Sequence, residues 1–250
     1  MIKWWRKFSW GKLFLIPLWV AASFIAAQVI VLGLVWLLKF INLPLDSLDQ
    51  TVFNTIVSLI VYVVTLAIVI GAPYYFKKIK TTRSEIGITR AFQWRDIGFA
   101  PLGFIVYFIG AGLLMYLVSK LLPGVDLDQD QATGFKSLHT NWEYVLAFVT
   151  LVVIAPIAEE VLFRGYLLGK LKKYLPLWVA IAASSLLFAA LHLPGGGEQL
   201  QWNVAFNVLV LGVVLGILRP LTGSIWSGVL LHMMKNGLAF YLLFINPLLM

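Results

Sequence analysis

Residues 151–168 read LVVIAPIAEEVLFRGYLL, an apolar run in which Glu159, Glu160 and Arg164 are embedded. The run belongs to a hydrophobic segment over roughly 143–168, the length of about 20 residues or more that a helix needs to cross a bilayer. A barrel strand would need only about 10 residues, in strict alternation. With no water at that depth, the segment must satisfy its own backbone hydrogen bonds, and a helix does so.

The whole chain follows the same pattern. Of its 250 residues 61% are hydrophobic and 12% charged, with a mean hydropathy of +0.91. Soluble domains sit near 45–50% and about 25%. Seven spans can be drawn, at roughly 13–38, 52–76, 97–122, 143–168, 176–193, 203–218 and 223–246. Between them lie turn residues: Asn42-Leu43-Pro44, Leu122-Pro123-Gly124, Pro194-Gly195-Gly196-Gly197 and Arg219-Pro220. The expected fold class is all-α, a polytopic transmembrane bundle of about seven (six to eight) helices. The short loops and the lack of an internal repeat make 1–250 a single integral membrane domain, with the core segment 143–246 holding Glu159, Glu160, Arg164, Phe188, His192, His232 and Asn236.

Residues 1–12, MIKWWRKFSWGK, mix lysine and arginine with tryptophan, a composition that lies at headgroup level. The apolar stretch that follows is too long for a signal-peptide core and reads as an uncleaved first span. The net charge is +8, and its distribution is that of a topology signal rather than of a nucleic-acid surface. One set of alternate connections holds the N-terminus, Lys77, Lys78, Lys80, Arg83, Arg90, Arg95, Lys170, Lys172, Lys173 and Arg219. The other holds only Lys39, Lys120 and Lys136, beside Asp46, Asp49, Asp126, Asp128, Asp130 and Glu198. The positive-inside rule puts the N-terminus in the cytoplasm and the C-terminus outside a cell membrane. Without cysteine there is no disulfide, thiolate ligand or thiol nucleophile.

Charges inside apolar helices are costly and mark a bundle interior or a wet cavity. Besides Glu159, Glu160 and Arg164 they are His192, ending SSLLFAALHLP, and His232, Lys235 and Asn236, in SGVLLHMMKNGLAF. Glu160 and Arg164 stand at i,i+4 with the acid first, the favourable order for a helical ion pair. Glu159 is about 100° further round and is left unmatched. Phe188 with His192, and His232 with Asn236, are also i,i+4 pairs. The fourth and fifth spans turn near Tyr174-Leu175-Pro176, with Glu159 about 16 residues before and His192 about 17 after, so the two come to nearly one height. His232 and Asn236 lie about 11–16 residues past Arg219-Pro220, which overlaps that layer.

A carboxylate beside an imidazole can hold and deprotonate a water, and a second imidazole with an amide can donate to an oxyanion. The set Glu159, His192 and His232 equally matches zinc ligands that leave a position open. Ser184 and Ser185 lack a nucleophile elbow, and no H-E-x-x-H occurs.

E-E-x-x-x-R (Glu159, Glu160, Arg164), F-x-x-x-H (Phe188, His192) and H-x-x-x-N (His232, Asn236), in this order, resemble the three motifs of the CPBP family. That family comprises the CAAX-processing Rce1-type proteases and the bacteriocin-processing or immunity proteins called Abi proteins. Ser84-Glu85-Ile86-Gly87-Ile88 is more loosely similar to the segment upstream of the family core. The resemblance implies a glutamate-dependent intramembrane endopeptidase, either a zinc metalloprotease or metal-free, acting on a membrane-associated, prenylated or bacteriocin-like peptide. It makes Glu159, Glu160, His192, His232 and Asn236 catalytic. Glu159 activates water with help from His192, His232 and Asn236 bind the oxyanion, and Arg164 and Phe188, with Glu160, organise the site. The competing readings are a catalytically silent scaffold, regulatory or immunity protein, and, less well supported, a proton- or ion-relay transporter. The plain readings are a structural Glu160–Arg164 pair, interhelical glue for His232–Asn236, a solvated His139, and tryptophans and tyrosines in an interfacial belt.

Overall fold

A computed structural model describes residues 10–129, 133–135, 138–194 and 199–246. Residues 1–9 of the interfacial N-terminal stretch, the glycines 195–197 of one turn, and Asp130, Lys136 and Glu198 lie outside the described residues. Among the described residues the chain forms seven apolar helices. They are α1 Trp10–Phe40, α2 Gln50–Lys77, α3 Trp94–Leu121, α4 Asn141–Leu171, α5 Leu177–His192, α6 Trp202–Thr222 and α7 Trp226–Ile245. All but α5, which has 16 residues, are long and apolar enough to cross a membrane. The protein is an all-α polytopic bundle.

Local chemistry sets the helix starts. The Asp49 carboxylate accepts from the amides of Thr51 and Val52 at the start of α2. Thr140 and Glu143 form a reciprocal capping box at the start of α4. One expected boundary is corrected. The turn assigned to Arg219-Pro220 begins three residues after that proline, because α6 runs through Pro220 to Thr222 and stops at Gly223, whose φ of 73° closes the helix. A proline in the last turn removes a single backbone bond, too little to end a buried helix.

Prolines act more visibly on α2 and α4. Pro73 follows a π-helical turn over Ala67–Gly71, and Pro156 follows one over Val149–Ile154. A proline ring collides with the carbonyl about one turn upstream, and widening that turn relieves the collision while freeing carbonyls. Side chains of other helices take them up. Trp19 Nε1 donates to Val69 O at 3.3 Å, and Asn236 Nδ2 to Leu151 O at 2.8 Å. A further π-helical stretch, Glu160–Leu167, carries the second half of the E-E-x-x-x-R motif.

Helix α6 is the central member, with Leu211 and Leu215 fully buried. It packs along α5 and α3 and against α7, while α1 and α2 flank the bundle on the α4 and α5 side. The connections then sort to two ends. At one end the loop after α2 lies flat on α4, where a Cβ on Gly165 or Gly169 would run into the carbonyls of Ile86 and Glu85. There Ser84 O accepts from Arg219 Nη2 at 2.9 Å, and Gly87 O from Ile225 N at 3.1 Å. The Glu85 carboxylate meets Lys170 at 3.2 Å and also binds Lys173. Burial alone would raise that carboxyl, but hydrogen bonds from Lys173, the Thr82 amide and Lys170 outweigh it and bring it from 4.5 to about 2. At the other end Asn54 donates to Gly134 O, and Gln129 bonds Leu200 O and Trp202 N. The connections counted as basic thus pack together at one end.

Candidate active site

The polar side chains of α4, α5 and α7 meet around the ring of Phe188, which is fully buried. On α4 the Glu160 carboxylate lies 3.1 Å from Arg164 Nη1, and both side chains are almost wholly excluded from solvent. The Arg164 guanidinium stacks over Phe188 with its carbon 4.3 Å from the ring centre. Their alignment is imperfect, so Glu160 Oε2 and both Arg164 Nη atoms have no hydrogen-bond partner among the described residues. Gly228 on α7 makes room for the carboxylate; a Cβ there would stand 3.0 Å from Glu160 Oε2.

His232 is buried between the two acids, its Nδ1 3.3 Å from Glu160 Oε1 and its Nε2 3.7 Å from Glu159 Oε2. Glu159 retains 13% side-chain exposure against none for Glu160. Its other oxygen accepts from Tyr62 Oη at 2.8 Å. His192 edges onto Phe188 with centroids 4.7 Å apart, and His232 does so from another side at 5.8 Å. The Nδ1 of His192 lies 2.8 Å from Phe188 O. A carbonyl only accepts, so Nδ1 carries a proton, which in the neutral ring leaves the lone pair on Nε2.

The placement of the sequence candidates is uneven. Glu159, Glu160, Arg164 and His232 form one contiguous cluster, joined by Phe188 to His192. The imidazole beside Glu159 is that of His232; among the described residues no hydrogen bond joins His192 to Glu159. Asn236 turns away from the carboxylates to the freed Leu151 carbonyl. Among the described residues, no three His, Asp or Glu side chains are gathered closely enough to hold a metal ion, so Glu159, His192 and His232 do not stand as a ligand set. Lys235, an unexpected charge in the sequence, lines a cavity of about 280 Å³ with Asn203, Asn207, Gln129 and Tyr107. Asn203 and Gln129 belong to the end opposite the basic loops.

Two contributors escaped the sequence reading. Tyr62 is corrected from an interfacial belt residue to a partner of Glu159. Its signal was a tyrosine in the middle of an apolar span, away from the headgroup levels where tyrosines collect. Gly228 carried no signal, since its role depends on what faces it.

These features define a membrane-embedded helical protein with a buried Glu–Arg–His cluster. Residues 141–238, which contain all seven motif residues, match the family model of the type II CAAX prenyl endopeptidase Rce1-like proteins. Over that segment, about two fifths of the chain, the protein is similar to the Rce1-like family, the likeness its three motifs also carry. An uncharacterized 24.3 kDa protein of Escherichia coli is 29% identical over 93 residues, 36% of this chain and 41% of that protein. The UPF0177 protein YbdI of Lactococcus lactis is 30% identical over 119 residues, 46% and 59% of the two chains. The chain thus spans about half the length of the curated relatives it matches. No solved structure matches it significantly.

Proposed function

We propose that this protein is an intramembrane endopeptidase in which Glu159 activates water to cleave a membrane-associated peptide or protein. The observation that carries the proposal is the contrast between adjacent carboxylates. Glu160 is buried and neutralised by Arg164, whereas Glu159 is partly exposed, held by Tyr62, and faces His232. Likeness to an endopeptidase family over the segment that holds the cluster supports the same reading.

Glu159 takes a proton from water while the water oxygen attacks the scissile carbonyl carbon. The lone pair on His192 Nε2 helps to hold that water. The remaining amide hydrogen of Asn236 donates to the developing oxyanion, while the proton on His232 Nδ1 goes to Glu160 Oε1, 3.3 Å away. The C–N bond then breaks, and Glu159 passes its proton to the leaving nitrogen, which yields an acid and an amine. The Glu160–Arg164 pair fixes His232 and balances the charge. No step is routed through a metal, because the candidate ligands are not gathered into a set. The N-terminus is assigned to the cytoplasm and the substrate to a peptide in or at the bilayer, prenylated or bacteriocin-like.

The test is proteolysis of a membrane-peptide library by purified wild type and Glu159→Gln, with metal content measured on the same samples. Wild type should cleave, metal-stripped wild type should keep its rate, and Glu159→Gln should fall by roughly 10²-fold or more, as loss of a general base requires. Activity that returns only in proportion to added zinc would overturn the metal-free route. A cellular phenotype left intact by Glu159→Gln would replace the enzyme with a scaffold or immunity protein.

A further inference from the structure

A second cavity, larger than the one that Lys235 lines, lies away from the glutamates. It measures about 760 Å³ and opens at the basic end of the bundle, between the start of α1, the end of α2 and the end of α4. Five lysines line it, Lys12, Lys77, Lys80, Lys170 and Lys173, against one carboxylate, Glu85. Glu85 is already engaged by Lys170 and Lys173. Lys12 rests 5.6 Å from the centre of the Tyr174 ring. Lys77 and Lys80 have no anionic partner among the described residues. The lower wall is apolar, built from Leu15, Ile16, Trp19 and Phe76, with Leu15 59% and Phe76 78% exposed. Trp19 is pinned there by its bond to Val69 O in the π turn ahead of Pro73.

We infer that this cavity binds an anionic phospholipid, its phosphate among Lys12, Lys77 and Lys80 and its acyl chains along Leu15, Trp19 and Phe76. A soluble phosphate would satisfy the lysines and leave the apolar wall exposed. A zwitterionic lipid would cover the wall and leave an excess of ammonium groups uncompensated. Only an anion carrying hydrocarbon matches both halves. Basic pockets between membrane helices on the positively charged side recognise such headgroups on the same grounds. The lipid touches α1, α2 and α4 together. It therefore ties the flanking helix that carries Tyr62 to the helix that carries Glu159, although the binding itself does not depend on catalysis.

The test uses the full chain in neutral detergent. Native mass spectrometry and thermal unfolding are followed as phosphatidylglycerol, phosphatidylcholine or inorganic phosphate is added. Wild type should retain phosphatidylglycerol and melt higher with it, and respond to neither other addition. K12A/K77A/K80A should bind it on the order of 100-fold more weakly, at about fivefold per lysine. K77R/K80R, which keeps the charge, should bind nearly as wild type. K78A/R83A/K172A removes three cations at the same end outside the cavity and should change little. Should the triple lysine variant fail to fold, K77A/K80A replaces it, with a loss of roughly 30-fold expected. Equal losses in the cavity and control variants, equal binding of phosphatidylcholine, or the same stabilisation by phosphate alone would each overturn the inference.

Discussion

A tyrosine hydroxyl 2.8 Å from one carboxylate oxygen and an imidazole nitrogen 3.7 Å from the other leave Glu159 little freedom to turn. Hydrogen bonds to a charged group are worth about 1.5–3 kcal/mol. Tyr62→Phe should accordingly lower kcat/KM by roughly 10- to 100-fold and cost at most about that energy in stability, as activity and unfolding of the same preparation would show. Equal activity would remove Tyr62 from the site. Asn236 poses a sharper choice, because its amide is already bonded to Leu151 O. Interhelical hydrogen bonds in membranes average only about 0.6 kcal/mol, whereas losing an oxyanion donor costs about 10²–10³-fold in kcat. Asn236→Ala should show the larger kinetic loss with a small change in stability. If stability alone falls, Asn236 is glue. The spacing of His232 and Asn236 was legible along the chain; the pairing of Tyr62 with Glu159 was not, because the two lie 97 residues apart.

Among the elements, the loop between α2 and α3 is the one whose contacts most exceed what its composition suggests. Its backbone lies directly on Gly165 and Gly169, so Gly165→Ala and Gly169→Ala must push the loop off α4. Overpacking of this kind costs typically 1–3 kcal/mol, and each variant should unfold earlier by about that amount in a denaturation series. The same loop carries a pH dependence. The Glu85 carboxyl sits at about 2 in the folded protein against an ordinary 4.5. A depressed carboxyl stabilises the fold fully above the unfolded value and loses that contribution as pH falls through the folded one. Unfolding followed between pH 5 and pH 2 should show stability decline in wild type and decline less in Glu85→Gln. The motif-like stretch Ser84–Ile88 is thus a clamp across α4, α6 and α7, a role that glycines on a distant helix decide.

For the whole molecule, the alternation of charge places the basic connections together, and they meet in space through Glu85, Ser84 and Gly87. Reporter tags at the two termini of the full chain should be accessible from opposite faces of sealed membranes, the N-terminal one from the cytoplasm. Accessibility of both from one face would mean that α5, with its 16 residues, does not complete a crossing. Hydrophobic length and charge order by themselves determined that this is a helical membrane protein, roughly where its spans run, and which polar residues inside them to watch, because bilayer thickness and the cost of buried charge act on local sequence. Tertiary structure alone decided that His232, not His192, faces Glu159, that Asn236 bonds a carbonyl freed ahead of Pro156, and that Tyr62 joins the cluster. Those outcomes depend on how π-helical turns rotate one face of α4 toward its neighbours. Such a rotation is set by packing between helices rather than by the spacing within any one of them.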